Sequence, residues 1–174
     1  MNIFVTDLCP IKSAQVLPDK HIVKMPLETC QMLSIVASTK WGRGFGDLPK
    51  LDGTPYKTDK GAFRNHPCTI WAQQRWSWLI RHGLALCDEY TYRYGKIHSC
   101  EKTILHAEKI FPFQYLGSVA DKTWEFARAM PDQWKYDDTI DTPTAYKLYI
   151  ASKPWVKDNY LSLIHISEPT RPVM

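Results

Sequence analysis

The sequence contains no C-x-x-C pair, and its five cysteines (Cys9, Cys30, Cys68, Cys87 and Cys100) are odd in number and irregularly spaced. That pattern argues against a disulfide framework and the familiar structural zinc sites, and for reduced thiols. Nowhere does an apolar run approach the about 20 residues of a membrane-spanning helix. The opening MNIFVTD has no basic region and too short an apolar stretch for a signal peptide, so a cytoplasmic setting is expected. Neither standard glycine-rich phosphate loop occurs, and no G-x-S-x-G elbow, which removes the common nucleotide-binding and hydrolase motifs. HAE at His106–Glu108 has the spacing of half a zinc-deaminase signature, but no P-C-x-x-C follows it. Strand signals are scarce, and no internal repeat is visible.

What remains is a chain of 174 residues, 44% hydrophobic and 23% charged, suited to one globular domain with a real core. A net charge of +4 permits a polyanionic partner without demanding one. Seven Trp and nine Tyr either fill the core or stack on bases.

The apolar spacing is helical. Residues 2–6 read as a short strand or an extended arm, and Asp7–Pro10 as a turn. From Ile11 to Ser38 the pattern is mostly helical, with a break at Pro18 and Asp19. Ile22, Met25, Thr29, Met32 and Val36, widened by Leu33, form a buried stripe. Pro26 lies inside it and is expected to kink the helix or to open a new one. Trp41–Asn65, with five glycines and two prolines, reads as a long basic loop. Asn65–Lys96 reads as the strongest helix, with Pro67 in its first turn and Gly95 as its stop. Within it Glu89 and Arg93 form an i,i+4 pair worth a few tenths of a kcal/mol, and Gly83 permits close packing. Cys100–Ile110 is a further short helix, and DKTWEFARAMPDQW and TPTAYKLYIASKPW are helical pieces around turns. The expected fold is mainly α, a compact single-domain helical bundle over residues 1–160.

His21, Lys24, Glu28 and Gln31 share a helix face on the flank of the apolar stripe. Asp19 and Lys20 sit at its N-terminal end, where free N–H groups and the helix dipole suit phosphate. Spacing alone leaves two readings open, a solvated flank with a Lys24–Glu28 pair or the wall of a cleft. The pairs His66-Pro67-Cys68 and His98-Ser99-Cys100 raise a metal site, but their spacing is poor, and no metal is expected. The last stretch, LSLIHISEPTR, resembles the in-frame translation of a sequencing-library adapter. Residues 161–174 are therefore set aside as a non-native tail, which leaves the natural C-terminus open.

The segment DKHIVKMPLE, Asp19–Glu28, resembles the N-terminal helix motif of phage pyrimidine-dimer DNA glycosylases of the endonuclease V type. There an Asp-x-His step is followed by a glutamate seven residues after the histidine, and Asp19, His21 and Glu28 match. WLIRHGLALCDEYTYRYGKIH is similar to the family's later amphipathic helix, and TPTAYKLYIASK to its Tyr-rich end. The resemblance implies an all-α repair enzyme that binds duplex DNA, kinks it and flips out a base. It implies an amine that attacks C1′ to give a Schiff base, strand cleavage by β-elimination, a catalytic Glu28, and no cofactor. The family's nucleophile is an N-terminal amine freed by removal of Met1. Here Asn2 is too large for efficient removal, and Leu27 stands where the family has an arginine. The amine is then that of Met1, that of Lys24, or neither. Lys20, Lys57, Arg64, His66 and Arg75 are candidates for contacts to DNA, beside Asp19. The implied setting is the cytoplasm of an infected bacterium. A non-enzymatic module of the same fold, binding nucleic acid or a host protein, is the alternative, and the oligomeric state is open.

Overall fold

The computed structural model describes residues 1–115 and 125–156. The proposed non-native tail lies outside them. Among the described residues there are seven helices: α1 (Pro10–Gln15), α2 (Asp19–Ala37), α3 (Pro67–Ala72), α4 (Trp76–Tyr94), α5 (Glu101–Ile110), α6 (Asp132–Lys135) and α7 (Thr142–Ala151). The only bridge outside a helix among these residues joins Pro49 to Pro55. The architecture is the mainly α bundle that the spacing predicts.

Pro18 divides the first helical stretch. Held at φ −58° and ψ 155°, it caps α2 in an extended conformation that cannot continue α1. The apolar stripe of α2 is buried throughout: Ile22, Met25, Thr29, Met32, Leu33 and Val36 are each under 5% exposed. Pro26 neither ends this helix nor begins another, since α2 runs unbroken past it. The ring removes one N–H and disfavours the preceding turn, at a cost of about 3 kcal/mol. Burial of a single Ile, Leu or Met side chain contributes about 1.5–3 kcal/mol, and the stripe supplies several.

The stretch expected to be one long helix is two. α3 ends at Ala72 and α4 begins at Trp76. The carbonyls freed at the break are answered from far along the chain. Arg43 donates to the Gln73 oxygen from Nε at 3.0 Å and from Nη2 at 2.7 Å. Gln114 Nε2 donates to the Gln74 oxygen at 3.0 Å. α4 then packs across α1, α2 and α5 and ends where expected, at Gly95, whose φ of 65° is left-handed.

Glu89 and Arg93 do not form the weak surface pair that their spacing suggests. Arg93 Nε meets Glu89 Oε1 at 2.8 Å with both side chains at most 5% exposed. The same guanidinium reaches Asp19 Oδ1 at 2.8 Å and the carbonyls of Leu17 and Gln15 at 2.8 and 3.1 Å. It thereby fastens the end of α4 to the α1–α2 junction.

Beyond α5, the described part of DKTWEFARAMPDQW is helical only from Asp132 to Lys135. Residues 125–130 are irregular, and residues 121–124 lie outside the described residues. Arg128 holds this region, donating to Thr142 Oγ1 and to the carbonyls of Trp134, Asp137 and Ile140 at 2.7–3.1 Å. The segment does not make these backbone bonds within a helix of its own.

Gly83 is the closest approach of α4 to its neighbours. A Cβ there would lie 2.8 Å from Thr29 Cγ2 and 3.1 Å from Ile104 Cδ1. Alanine gains about 1 kcal/mol of helix propensity, but overpacking costs about 1–3 kcal/mol. Gly83→Ala is expected to lose about 1–2 kcal/mol in urea unfolding, and Thr29→Ser in the same chain to restore part of it. A raised midpoint for Gly83→Ala would contradict this packing.

Candidate functional site

Residues 1–6 form an arm, not a strand, and from Asn2 to Thr6 it is buried. Asn2 shapes it. Its Oδ1 accepts from the backbone N–H groups of Ile3 at 2.7 Å and Phe4 at 3.1 Å, and its Nδ2 donates to the Ala129 carbonyl at 2.7 Å. Phe4 has φ 57°, a left-handed conformation that costs a bulky residue about 1–3 kcal/mol. Its ring is held in return. It stacks on His21 with centroids 3.9 Å apart and meets the Tyr146 ring edge-on at 6.0 Å.

The arm ends at an ion pair. The Met1 amine lies 3.0 Å from Glu28 Oε1, with side-chain exposures of 2% and 8%. The start of α3 joins them. His66 caps that helix, its Nδ1 accepting from Cys68 N–H at 3.1 Å, with Pro67 in the first turn. Burial lowers the His66 pKa, the Met1 ammonium lowers it further, and Glu28 opposes the shift. Burial pushes the Cys68 thiol up to about 12, against the pull of the same ammonium. Both groups therefore feel the charges of the pair. Tyr146 of α7 closes the far side, its hydroxyl donating to the Ala127 carbonyl at 2.6 Å and accepting from Ala129 N–H at 3.0 Å. An amine next to a buried carboxylate is suited to imine chemistry, and the carboxylate to offsetting a developing positive charge.

Of the face expected on α2, Glu28 and His21 are buried and Lys24 is exposed. The face is thus divided, with Lys24 exposed and Gln31 half-buried, and Glu28 pairs with Met1 rather than with Lys24. His21 lies between Phe4 and the edge of Trp155, whose centroid is 5.3 Å away. Asp19 is taken up by Arg93, and the Lys20 ammonium sits 4.8 Å from the Trp155 ring centre. Lys57 is exposed on the loop. Arg64 lies over the Trp41 ring at 4.4 Å, and Arg75 Nη1 donates to the Gln74 carbonyl at 3.4 Å. His66 is brought to the ion pair; Lys57, Arg64 and Arg75 lie elsewhere on the loop and at the α3–α4 break. In the sequence Asn2 stands out only for its size, Cys68 only as half of a poorly spaced His-x-Cys pair, and Tyr146 only within the Tyr-rich stretch; none is singled out for this site. The apolar run after Asn2, too short for a strand in this helical chain, is the one signal of a buried arm.

Among the described residues no three His, Cys, Asp or Glu side chains gather as a metal site, and no helix is long and apolar enough to cross a membrane. A sequence model of the pyrimidine dimer DNA glycosylase family matches residues 1–102. No curated protein and no solved structure matches the chain.

The pKa of His21 is lowered to about 3, first by burial and then by the charges of Lys153 and Lys24. An ordinary histidine titrates near 6.5, so below that pH the unfolded chain takes up a proton that the folded one refuses. The His21 contribution to stability is complete above pH 6.5 and is lost as pH falls toward 3, by up to about 1.4 kcal/mol per pH unit. In urea titrations between pH 7 and 4, His21→Gln is expected to flatten this decline, leaving the part due to His82, whose pKa burial lowers to about 4. An unchanged slope would show that His21 does not resist protonation.

Proposed function

The chain belongs to the pyrimidine dimer DNA glycosylase family, and from that premise we propose that it is a glycosylase and AP lyase whose nucleophile is the Met1 amine and whose catalytic carboxylate is Glu28. The observation that carries this reading is the contact of 3.0 Å between the amine and the buried Glu28 carboxylate. An α-amino group ordinarily titrates near 8 and a lysine near 10.4, so at neutral pH a terminal amine has the larger unprotonated fraction. Lys24 is exposed, which favours Met1.

The Met1–Glu28 contact supports the following course of reaction. As the glycosidic C–N bond breaks, the base leaves with the bonding pair and positive charge grows on C1′ and the ring oxygen. The Glu28 carboxylate offsets that charge. The Met1 nitrogen, in its unprotonated form, donates its lone pair to C1′, and the cationic nitrogen that results gives up a proton to Glu28. Glu28 returns the proton to the ring oxygen as the sugar opens to the imine. Loss of a proton from C2′ then expels the 3′ phosphate as the C3′–O bond breaks. Water hydrolyses the imine and frees the amine.

His21 acts as a positioning residue, carrying the Phe4 ring that holds the arm. His66, beside the ion pair, faces the substrate in this reading. Lys20, Lys57, Arg64 and Arg75 are assigned to phosphates of a duplex whose target nucleotide is flipped from the stack. The implied setting is the cytoplasm of an infected bacterium.

Borohydride trapping on abasic-site duplex DNA tests the proposal. A covalent adduct is expected, with peptide mapping placing it on the Met1 amine. Lys24→Ala should leave the adduct intact. Extending the chain by Gly-Ser ahead of Met1 should abolish it. Glu28→Gln should slow release of a base from pyrimidine-dimer DNA at least 100-fold. An adduct on Lys24 would overturn the site assignment. DNA binding without any adduct would favour the non-enzymatic module.

A further inference from the structure

A second cluster of reactive groups lies on the other edge of α2, outside the Met1–Glu28 site. Cys30, two positions past Glu28, lies against Cys100, the N-cap of α5: the Cys30 Sγ donates to the Cys100 carbonyl at 3.8 Å. The pair is built in from both sides. His98 Nδ1 accepts from Cys100 N–H at 3.0 Å, so its Nε2 donates to the Val23 carbonyl at 2.8 Å. The Tyr56 hydroxyl is hydrogen-bonded to Cys30. Cys100 also lines an open cavity of about 440 Å³, together with Tyr56, Lys50, Lys57, Leu27 and Gln31. Cys100, though 7% exposed, thus sits at the wall of a cavity that opens to solvent.

We propose that Cys30 and Cys100 are a redox-active dithiol, a site of oxidative modification that closes to a disulfide under peroxide and ties α2 to the start of α5. The hydrogen bond from the Cys30 thiol is the largest influence lowering the Cys100 pKa. Burial opposes it, and His98 adds to it. Position at the N-terminus of a helix favours the thiolate further. Cys30 is correspondingly shifted up, first by that hydrogen bond and then by burial. This makes Cys100 the attacking sulfur and Cys30 the resolving one. The Cys100 thiolate attacks one peroxide oxygen, the O–O bond breaks, and sulfenic acid and hydroxide result. The Cys30 sulfur then attacks the sulfenic sulfur. The S–S bond forms, the S–O bond breaks, and the departing hydroxide takes up the Cys30 proton. Two thiols and one hydrogen peroxide give a disulfide and two waters.

The test uses the full chain without DNA, so its outcome is separate from that of the glycosylase reading. After hydrogen peroxide and alkylation, a non-reducing digest is expected to contain a peptide joining Cys30 to Cys100, which dithiothreitol separates. The oxidised chain should melt roughly 5–10 °C higher, and Cys30→Ser or Cys100→Ser should remove both the linked peptide and the shift. Cys9, the only cysteine of intermediate exposure, is the internal control. Oxidation of Cys9 before any link, a link to another cysteine, or full alkylation of both Cys30 and Cys100 would each overturn the proposal.

Discussion

A carboxylate withdrawn from water must be answered by an opposite charge close by, and this constraint shapes the start of the chain. Glu28 meets it through the Met1 amine, and the arm that carries the amine has to be satisfied as it enters the core. Asn2 binds the first two free N–H groups of the arm and a carbonyl of the 125–130 segment. Phe4 accepts a strained backbone in exchange for a stacked ring. Tyr146 in turn fixes the segment that Asn2 leans on. Without the arm these contacts would have little to hold, and without them the amine would have no fixed place.

The other end of α2 is governed by a different buried charge. Arg93 gathers Asp19, Glu89 and the carbonyls that end α1. The two networks use the two polar ends of DKHIVKMPLE differently. Asp19 serves the scaffold, while Glu28 faces the amine. Between them the apolar stripe is sealed against α4, where Gly83 lets the helices approach. That packing explains how α2 tolerates Pro26, since a helix fixed along one buried face does not depend on every hydrogen bond of its ladder.

Much of the architecture was legible because it is written in short-range pattern. The stripe of α2, the stop at Gly95, the break at Pro18 and the loop from Trp41 to Asn65 all follow from spacing, proline and glycine. The interruption between α3 and α4 is stabilised by Arg43 and Gln114, partners that no local window contains. The irregular path of residues 125–130 turns on Arg128, which spends its guanidinium on carbonyls from Trp134 to Ile140, a use that its position in the sequence does not announce. The Glu89–Arg93 pair was visible, but its burial and its link to Asp19 were not. For the site, spacing brought out Glu28 and His21, and the resemblance ranked them. Met1 remained one of several amines because its partner lies 27 positions away in sequence, and Asn2 was read only for its size.

The residues that steady the arm come from distant stretches of the described residues. The family match covers residues 1–102, yet the carbonyl that receives Asn2 is that of Ala129, itself held by Tyr146. On a ribosome, the arm therefore waits for a helix that begins only at Thr142. Until α7 has emerged and docked, the segment that receives Asn2 is not itself fixed. A nascent chain or a fragment that carries every residue of DKHIVKMPLE still lacks these supports. The setting of the Met1–Glu28 contact is in this way tied to the folding of a far part of the chain.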